Sequence, residues 1–319
     1  MPLFSLHRRP VRPTLLIVGC GDVGLRVLRL LRGRYRVLAL TSSVERVDSL
    51  RAAGAVPLLG NLDAPGTLGR LAGLADAVLH LAPPPSAGRS DPRTAALLAA
   101  LGRGGGAPRL VYGSTTGVYG NAQGAFFDEC RPPAPATDRA WRRVDAERRV
   151  REHARSHRAR ATVLRIPGIY ALDRTGGSPV ERVARGVPVL VPADDVHTNH
   201  IHADDLARAC VAALVRGGNQ RVVHVSDDSR LSMAEHYTEV ARLAGLPAPR
   251  RITRAEAEAT MSPMAPSFLG ESRQLDNRRL KNELRLRLRY PTTADALSAA
   301  GYRSSQAEAA GAALRPATA

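Results

Sequence analysis

The densest group of residues with chemical meaning lies near the start of the chain. Gly19-Cys20-Gly21-Asp22-Val23-Gly24 follows directly on the unbroken apolar run Thr14-Leu15-Leu16-Ile17-Val18 and leads into a helical pattern from Leu25 to Leu31. Glycines at this spacing, between a buried strand and a helix, make a phosphate cradle. The first permits a tight turn, the second lets backbone approach a pyrophosphate, and the third lets the helix pack close to the strand. The amides of Asp22, Val23 and Gly24 then open the helix with free N–H groups and the positive end of its dipole, which suits an anion. The ligand so implied is a dinucleotide, NADP or NAD. The choice between them turns on the end of the next strand, where an acid about 20 residues past the first glycine would hold the ribose hydroxyls. Here Thr41-Ser42-Ser43-Val44-Glu45-Arg46 has no acid at the strand end. Ser42, Ser43 and Arg46 suit a 2′-phosphate, so NADP is expected over NAD, with Glu45 one turn further on and facing solvent.

These residues need a frame to hold them. Short apolar runs read as strands over Thr14–Val18, Arg36–Leu40, Val56–Leu59, Asp76–Leu81, Arg109–Tyr112 and Thr162–Arg165, with helical patterns at Val44–Ala53 and Arg93–Leu101 between them. Such alternation points to an α/β fold, a doubly wound parallel sheet of the Rossmann kind. After Pro167 the rhythm changes to a helix over Ser178–Arg185, a short strand over Pro188–Pro192, a helix over Asp204–Arg216, a strand over Val222–Val225 and a helix over Met233–Ala244. Asp204 and Asp205 stand where the helix dipole favours acids. The expected organisation is a disordered basic arm over 1–13, an NAD(P)-binding domain over 14–170 with strand elements returning near 200–225, a smaller C-terminal α/β substrate lobe over 171–305, and a frayed tail over 306–319.

The bulk composition narrows the partners. Apolar residues make up 44% of the 319 and aromatics only 4%, so the core must come mainly from Leu, Val and Ala. The formal charge of +17 would by itself suggest a polyanion partner. Lys281 is the only lysine, however, and the arginines are scattered along the chain. We read them as solvated surface and expect no specific nucleic-acid binding. Cys20, Cys130 and Cys210 form no CxxC pair, which fits a reduced, cytoplasmic setting without disulfides or zinc. His200 and His202 alternate as on a strand, but a third metal ligand is missing, so no metal is expected. No apolar run approaches the roughly 18–20 residues of a membrane span, and the start of the chain does not read as a signal peptide.

Several further segments together resemble the short-chain dehydrogenase/reductase superfamily, specifically its extended, epimerase/dehydratase-like branch. They are Gly60-Asn61-Leu62-Asp63, Leu79-His80-Leu81-Ala82, Val111-Tyr112-Gly113-Ser114-Thr115-Thr116-Gly117-Val118-Tyr119-Gly120, Leu164-Arg165-Ile166-Pro167-Gly168-Ile169-Tyr170, and Asn199-His200-Ile201-His202-Ala203-Asp204-Asp205-Leu206. The resemblance runs from about Thr14 to about Leu297. It implies that Asn61 and Leu62 contact adenine, that Leu81 and Ala82 line the cofactor ribose, and that Pro167 lies near the nicotinamide. It also aligns Thr115 with the catalytic Ser/Thr that hydrogen-bonds a substrate carbonyl or hydroxyl.

The family's Tyr-x-x-x-Lys pair, in which the lysine lowers the tyrosine's pKa for proton transfer, does not carry over. Aligning Glu147 with the acid that follows the pair puts Arg139 at the tyrosine position and Arg143 at the lysine position. Arg143 can still bond a ribose and supply charge, whereas a guanidinium cannot replace a phenol as proton donor. Tyr119 stands as a substitute acid, and Trp141 as a packing or pocket-wall residue. This pattern is similar to the atypical members of the superfamily. Three functions follow, the one the scattered arginines favour least being a nucleic-acid binder that retains the fold. One is an NAD(P)-dependent oxidoreductase or epimerase/dehydratase-like enzyme with non-standard catalytic residues, acting on a small molecule whose identity the sequence leaves open. The alternative is a catalytically weak, cofactor-binding sensor or assembly protein. A homodimer is compatible with either.

Overall fold

The computed structural model describes residues 12–260 and 270–302. The arm expected over 1–13 and the tail expected over 306–319 therefore lie outside the described residues, Arg12 and Pro13 apart. The first half alternates β1 (Thr14–Val18), α1 (Asp22–Leu30), β2 (Arg36–Thr41), α2 (Val47–Ala52), β3 (Val56–Leu59), β4 (Ala77–His80), α3 (Pro92–Gly102) and β5 (Arg109–Thr115). Then come β6 (Phe126–Phe127), α4 (Asp138–Ser156), β7 (Ala161–Ile166), β8 (Gly168–Tyr170), α5 (Pro179–Ala184), β9 (Val189–Leu190) and β10 (His200–His202). The chain continues through α6 (Ala203–Arg216), β11 (Arg221–His224), α7 (Met233–Ala244), β12 (Arg251–Ile252), α8 (Arg254–Thr260), β13 (Gln274–Leu275), α9 (Arg278–Asn282) and α10 (Thr293–Ala299).

Seven strands form one parallel sheet in the order β11-β7-β5-β4-β1-β2-β3. Helices cover both faces, which is why β1 is apolar at consecutive positions. Leu15 and Ile17 pack with Val27 of α1 and with Leu206 and Cys210 of α6. Leu16 and Val18 point the other way, onto Leu97 and Leu98 of α3 and Val150 of α4. The strand order reverses at β1, whose neighbours are β2 on one side and β4 on the other. In open α/β sheets this switch point opens a crevice at the carboxyl ends of the strands, where ligands bind. Beyond the sheet lie the two-stranded parallel ladders β8/β10, β9/β12 and β6/β13 and, apart from them, a cluster in which Val183 of α5, Val240 of α7 and Leu297 of α10 are buried.

Several boundaries differ from the sequence reading. The first helix begins at Asp22, three residues before the apolar period, because Gly21 serves as its N-cap. The helix expected over Val44–Ala53 starts as a 3-10 turn, Val44–Arg46, and becomes α-helical only from Val47. Strand β5 runs to Thr115, three residues past Tyr112. Helix α4 is a 19-residue element whose buried apolar contacts are only Ala140, Ala146, Val150 and Ala154, so its length does not show as a hydrophobic period. Thr137 caps it by accepting the Ala140 amide. Among the described residues no helix is long and apolar enough to cross a membrane, and no group of three His, Cys, Asp or Glu side chains could hold a metal ion.

Candidate functional site

The glycine loop lies at the switch point. Gly19 has φ +89°, a left-handed conformation that other residues resist. A Cβ there would stand 2.4 Å from the Ala82 amide nitrogen, because the amides of Leu81 and Ala82 both donate to the Val18 carbonyl and draw the end of β4 against the loop. Gly24 packs tightly, with Cys20 Sγ and the Gly19 carbonyl 3.3 Å from the position of an added Cβ. Gly21 is the opposite case: it is exposed, and nothing lies within 4 Å of such a Cβ. No side chain caps the helix that Gly21 starts, so the first-turn amides at Asp22, Val23 and Gly24 have no capping side chain as partner. Geometry of this kind fits a pyrophosphate: the backbone is close, polar and uncovered, and the dipole has the right sign.

On one side of the loop, Arg46 folds back so that its guanidinium donates to the Cys20 carbonyl at 2.6 Å. It thereby carries positive charge from the end of β2 to the rim of the loop. Ser42 is exposed, Ser43 donates to Glu45, and Glu45 itself is exposed. Asn61 forms a compact turn, its side chain accepting the Asp63 amide at 2.9 Å and its own amide bonded to Thr67. Leu62 is partly buried against the core beneath. Arg93 grips Asp63 with two hydrogen bonds, of 2.7 and 2.6 Å, and so ties that turn to α3.

On the other side, Leu81 meets β5 where Gly113 leaves space; an added Cβ there would be 2.9 Å from Leu81 Cδ2. The register places Thr115 opposite Ile166, so Pro167 begins beside Thr115. Thr115 is half-buried, and its Oγ1 accepts the Gly117 amide at 3.2 Å, capping a 3-10 turn. Arg143 reaches from α4 to the same strand end and donates to Gly113 O at 2.8 Å and to Tyr112 Oη at 3.1 Å. Both acceptors are neutral, and no carboxylate among the described residues lies within ion-pair distance of Arg143. Arg139, one turn earlier, is exposed. Trp141 is 41% exposed on the outer side of the helix.

Tyr119 is placed differently from these. It is 1% exposed, and its hydroxyl is held by Arg165 at 2.6 Å and by His224 Nε2 at 2.5 Å. Burial, partly offset by Arg165, pushes that phenol up to about 12. The structure thus brings Thr115, Arg143, Leu81, Ala82 and Pro167 to one end of the sheet and turns the Tyr119 hydroxyl into the core behind them.

Three features of the site escaped the sequence reading. Glu147 pairs with Arg165 at 2.7 Å and accepts from Ser114 Oγ at 2.6 Å, all three buried, which pins α4 against β5 and β7. His80, at the end of β4, bonds Thr94 Oγ1, which in turn donates to Asp91. Burial, aided by the Arg143 charge, pulls that imidazole down to about 3. Arg26 of α1 is 5% exposed and holds Asp22, Asp173 and Asp204 together. The spacing of Asp22 and Arg26 at i,i+4 was a visible cue, whereas the two distant aspartates gave none.

Comparison with known proteins agrees with this geometry. A family model described as the NAD dependent epimerase/dehydratase family matches residues 15–226. Among solved structures, a functionally unknown conserved protein from Silicibacter pomeroyi DSS is similar, with 29% identity, a TM-score of 0.73, and coverage of 92% of this chain and 100% of that one. UDP-glucose 4-epimerase from Thermotoga maritima, solved with UDP-glucose, is similar at 19% identity with a TM-score of 0.71, covering 89% of this chain and 96% of its own. A dTDP-glucose 4,6-dehydratase from Streptomyces venezuelae, solved with NAD, is similar at 20% identity with a TM-score of 0.70, covering 89% and 95%. No curated protein matches the chain.

Proposed function

Since the chain belongs to the NAD dependent epimerase/dehydratase family, we propose that it binds a nicotinamide dinucleotide across the switch point and acts as an oxidoreductase or epimerase/dehydratase-like enzyme with non-standard proton-handling groups. The observation that carries this reading is the open cradle at Gly21, flanked by an uncapped helix start and by the closely packed Gly19 and Gly24. When bound, the cofactor would supply hydride transfer. The remaining work falls to the chain's own side chains. Asp22, Val23 and Gly24 present amides to the phosphates. Asn61 and Leu62 border the adenine end, and Leu81, Ala82 and Pro167 wall the nicotinamide end. Thr115 orients a substrate carbonyl or hydroxyl through its Oγ1. Arg143, fixed by Gly113 O and Tyr112 Oη, supplies positive charge and a ribose contact but cannot release a proton near neutrality.

NADP is our preferred cofactor, with Arg46 receiving the 2′-phosphate beside Ser42. The position of the Arg46 guanidinium on the Cys20 carbonyl supports this. The substrate is a small molecule. The charge pattern gives no specific nucleic-acid role, and the protein is assigned to the cytoplasm.

The second reading, a cofactor-binding sensor or assembly protein with little turnover, draws support from the committed hydroxyl of Tyr119 and from guanidiniums at Arg139 and Arg143. A steady-state assay following NADPH absorbance over carbonyl and nucleotide-sugar substrates separates the two. We expect low turnover, because a positioned proton donor typically contributes about 10²–10⁴-fold to rate. Thr115→Ala should lower whatever turnover exists more than Arg139→Ala does. Fast turnover insensitive to Thr115→Ala would move the reaction centre elsewhere.

A further inference from the structure

The phosphate cradle carries an acid where an anion is to bind. Asp22 is the first residue of α1, directly after Gly21, and its carboxylate pairs with Arg26 and Arg174. Two arginines attend it, and they are held very differently. Arg26 is buried and fixed by three carboxylates: Asp22 Oδ1 at 3.1 Å, Asp173 Oδ1 at 2.6 Å, and Asp204. Arg174 comes from the segment after β8 and donates to Asp22 Oδ2 at 2.5 Å. That aspartate is its only carboxylate among the described residues, and its side chain is 28% exposed. The turn that carries Arg174 is shaped for this pose. The Gly177 amide donates to the Arg174 carbonyl, and a Cβ on Gly177 would stand 2.5 Å from Arg174 Cδ.

Charge decides what this arrangement can do. Three aspartates against two arginines leave the cluster one unit negative, next to the place where a pyrophosphate must come. Turning a guanidinium from its carboxylate to the phosphates leaves that total unchanged but puts positive charge in direct contact with the pyrophosphate. Asp22 keeps Arg26 Nε even when Arg174 leaves it. The mobile guanidinium is therefore Arg174, and a diphosphate is a stronger acceptor for it than a single shared carboxylate, since a guanidinium can bond two phosphate oxygens at once.

We propose that Arg174 is a second ligand of the cofactor's pyrophosphate, parked on Asp22 in the free protein and turning onto the phosphates when the dinucleotide binds. The inference rests on the cofactor reading above and adds to it a clasp from the segment after β8, which meets the start of α1 at Asp22. Asp22 acts as a placeholder that keeps the guanidinium pre-positioned, so that little side-chain freedom is lost on binding.

Calorimetric titration of NADP⁺, NAD⁺ and ADP-ribose into the full chain tests this, using wild type, Arg174→Ala, Arg174→Lys and Asp22→Asn. Arg174→Ala is expected to weaken all three ligands by about tenfold or more, as loss of a charge-assisted hydrogen bond does. Arg174→Lys should recover part of that loss. Asp22→Asn, which keeps the backbone amide at that position but removes the carboxylate that competes for Arg174, should bind the ligands more tightly than wild type. Binding by Arg174→Ala within twofold of wild type would overturn the clasp while leaving the cofactor reading intact. Equal weakening by Asp22→Asn and Arg174→Ala would also overturn it, since the ion bridge and not the arginine would then matter. Failure of wild type to bind any of the three would remove the cofactor reading itself, and the clasp with it. Melting temperatures of the free variants separate a binding loss from a folding loss.

Discussion

Two regions meet at the carboxyl end of the sheet, and they are built from different material. The glycine loop between β1 and α1 works through backbone. Its requirements are a positive φ at Gly19, open space at Gly21 and a close approach at Gly24, and any side chain would spoil them. Helix α4 works through side chains. There the positions that the family resemblance assigns to a tyrosine and a lysine hold Arg139 and Arg143, while Glu147 one turn further on is locked to Arg165. Backbone sites tolerate almost no substitution and so keep their chemistry. A side-chain site can keep its helix, its cap and its buried anchor while the groups it presents change. On the function proposed here, the backbone cradle is kept while α4 carries guanidiniums at the two positions the resemblance assigns to tyrosine and lysine.

The comparison breaks most visibly at the anchor. Glu147→Ala would leave the Arg165 guanidinium, 2% exposed, with only the Tyr119 hydroxyl for company. Removing one partner of a buried pair typically costs about 3–5 kcal/mol, so urea unfolding should show a loss of that order. A loss below about 1 kcal/mol would mean that α4 is held in place by something else.

Acid should weaken both regions together. His80, at the end of β4, and His224, behind Tyr119, are each pulled by burial down to about 3. In the unfolded chain a histidine titrates near 6.5. Between those values the unfolded state binds protons that the folded state does not, so stability falls as pH drops below about 6.5. By pH 5 each histidine should have cost about 2 kcal/mol. Asp227, raised by burial, acts in the opposite direction as its folded form takes up a proton first. Urea midpoints at pH 7 and pH 5 measure the balance. Equal midpoints would show that the two imidazoles do not dominate the acid response of the fold.

The smallest effect belongs to cofactor choice. Arg46→Ala should weaken NADP⁺ by about tenfold, the worth of one exposed charge-assisted contact, and leave NAD⁺ unchanged. A variant that lost both equally would show Arg46 to be a strut for the Cys20 carbonyl and not a phosphate ligand.

What the sequence disclosed follows the same division. The strands of the doubly wound sheet are visible because burial on both faces demands consecutive apolar residues, as in Leu15 to Val18. The glycine loop is visible because backbone needs dictate residue type. Helix α4 is nearly invisible as a period, since arginines and acids occupy most of its surface and alanines much of its buried face. The Arg26 cluster joins residues separated by up to 178 positions, and only the fold brings them together. The placement of the Tyr119 hydroxyl was equally hidden: the spacing from Thr115 to Tyr119 says that both follow one strand, but not that the 3-10 turn between them sends one side chain inward.

The central claim, that a nicotinamide dinucleotide binds at the glycine loop, has a direct test in Gly21→Asp. Gly21 has φ −83° and nothing within 4 Å of an added Cβ, so the substitution should leave the fold and its melting temperature intact while placing bulk and negative charge in the cradle. Calorimetry should show NADP⁺ or NAD⁺ binding to the wild-type protein and a loss on the order of a hundredfold or more in the variant. Equal affinity in the two proteins would contradict the account and place the ligand somewhere other than the end of β1.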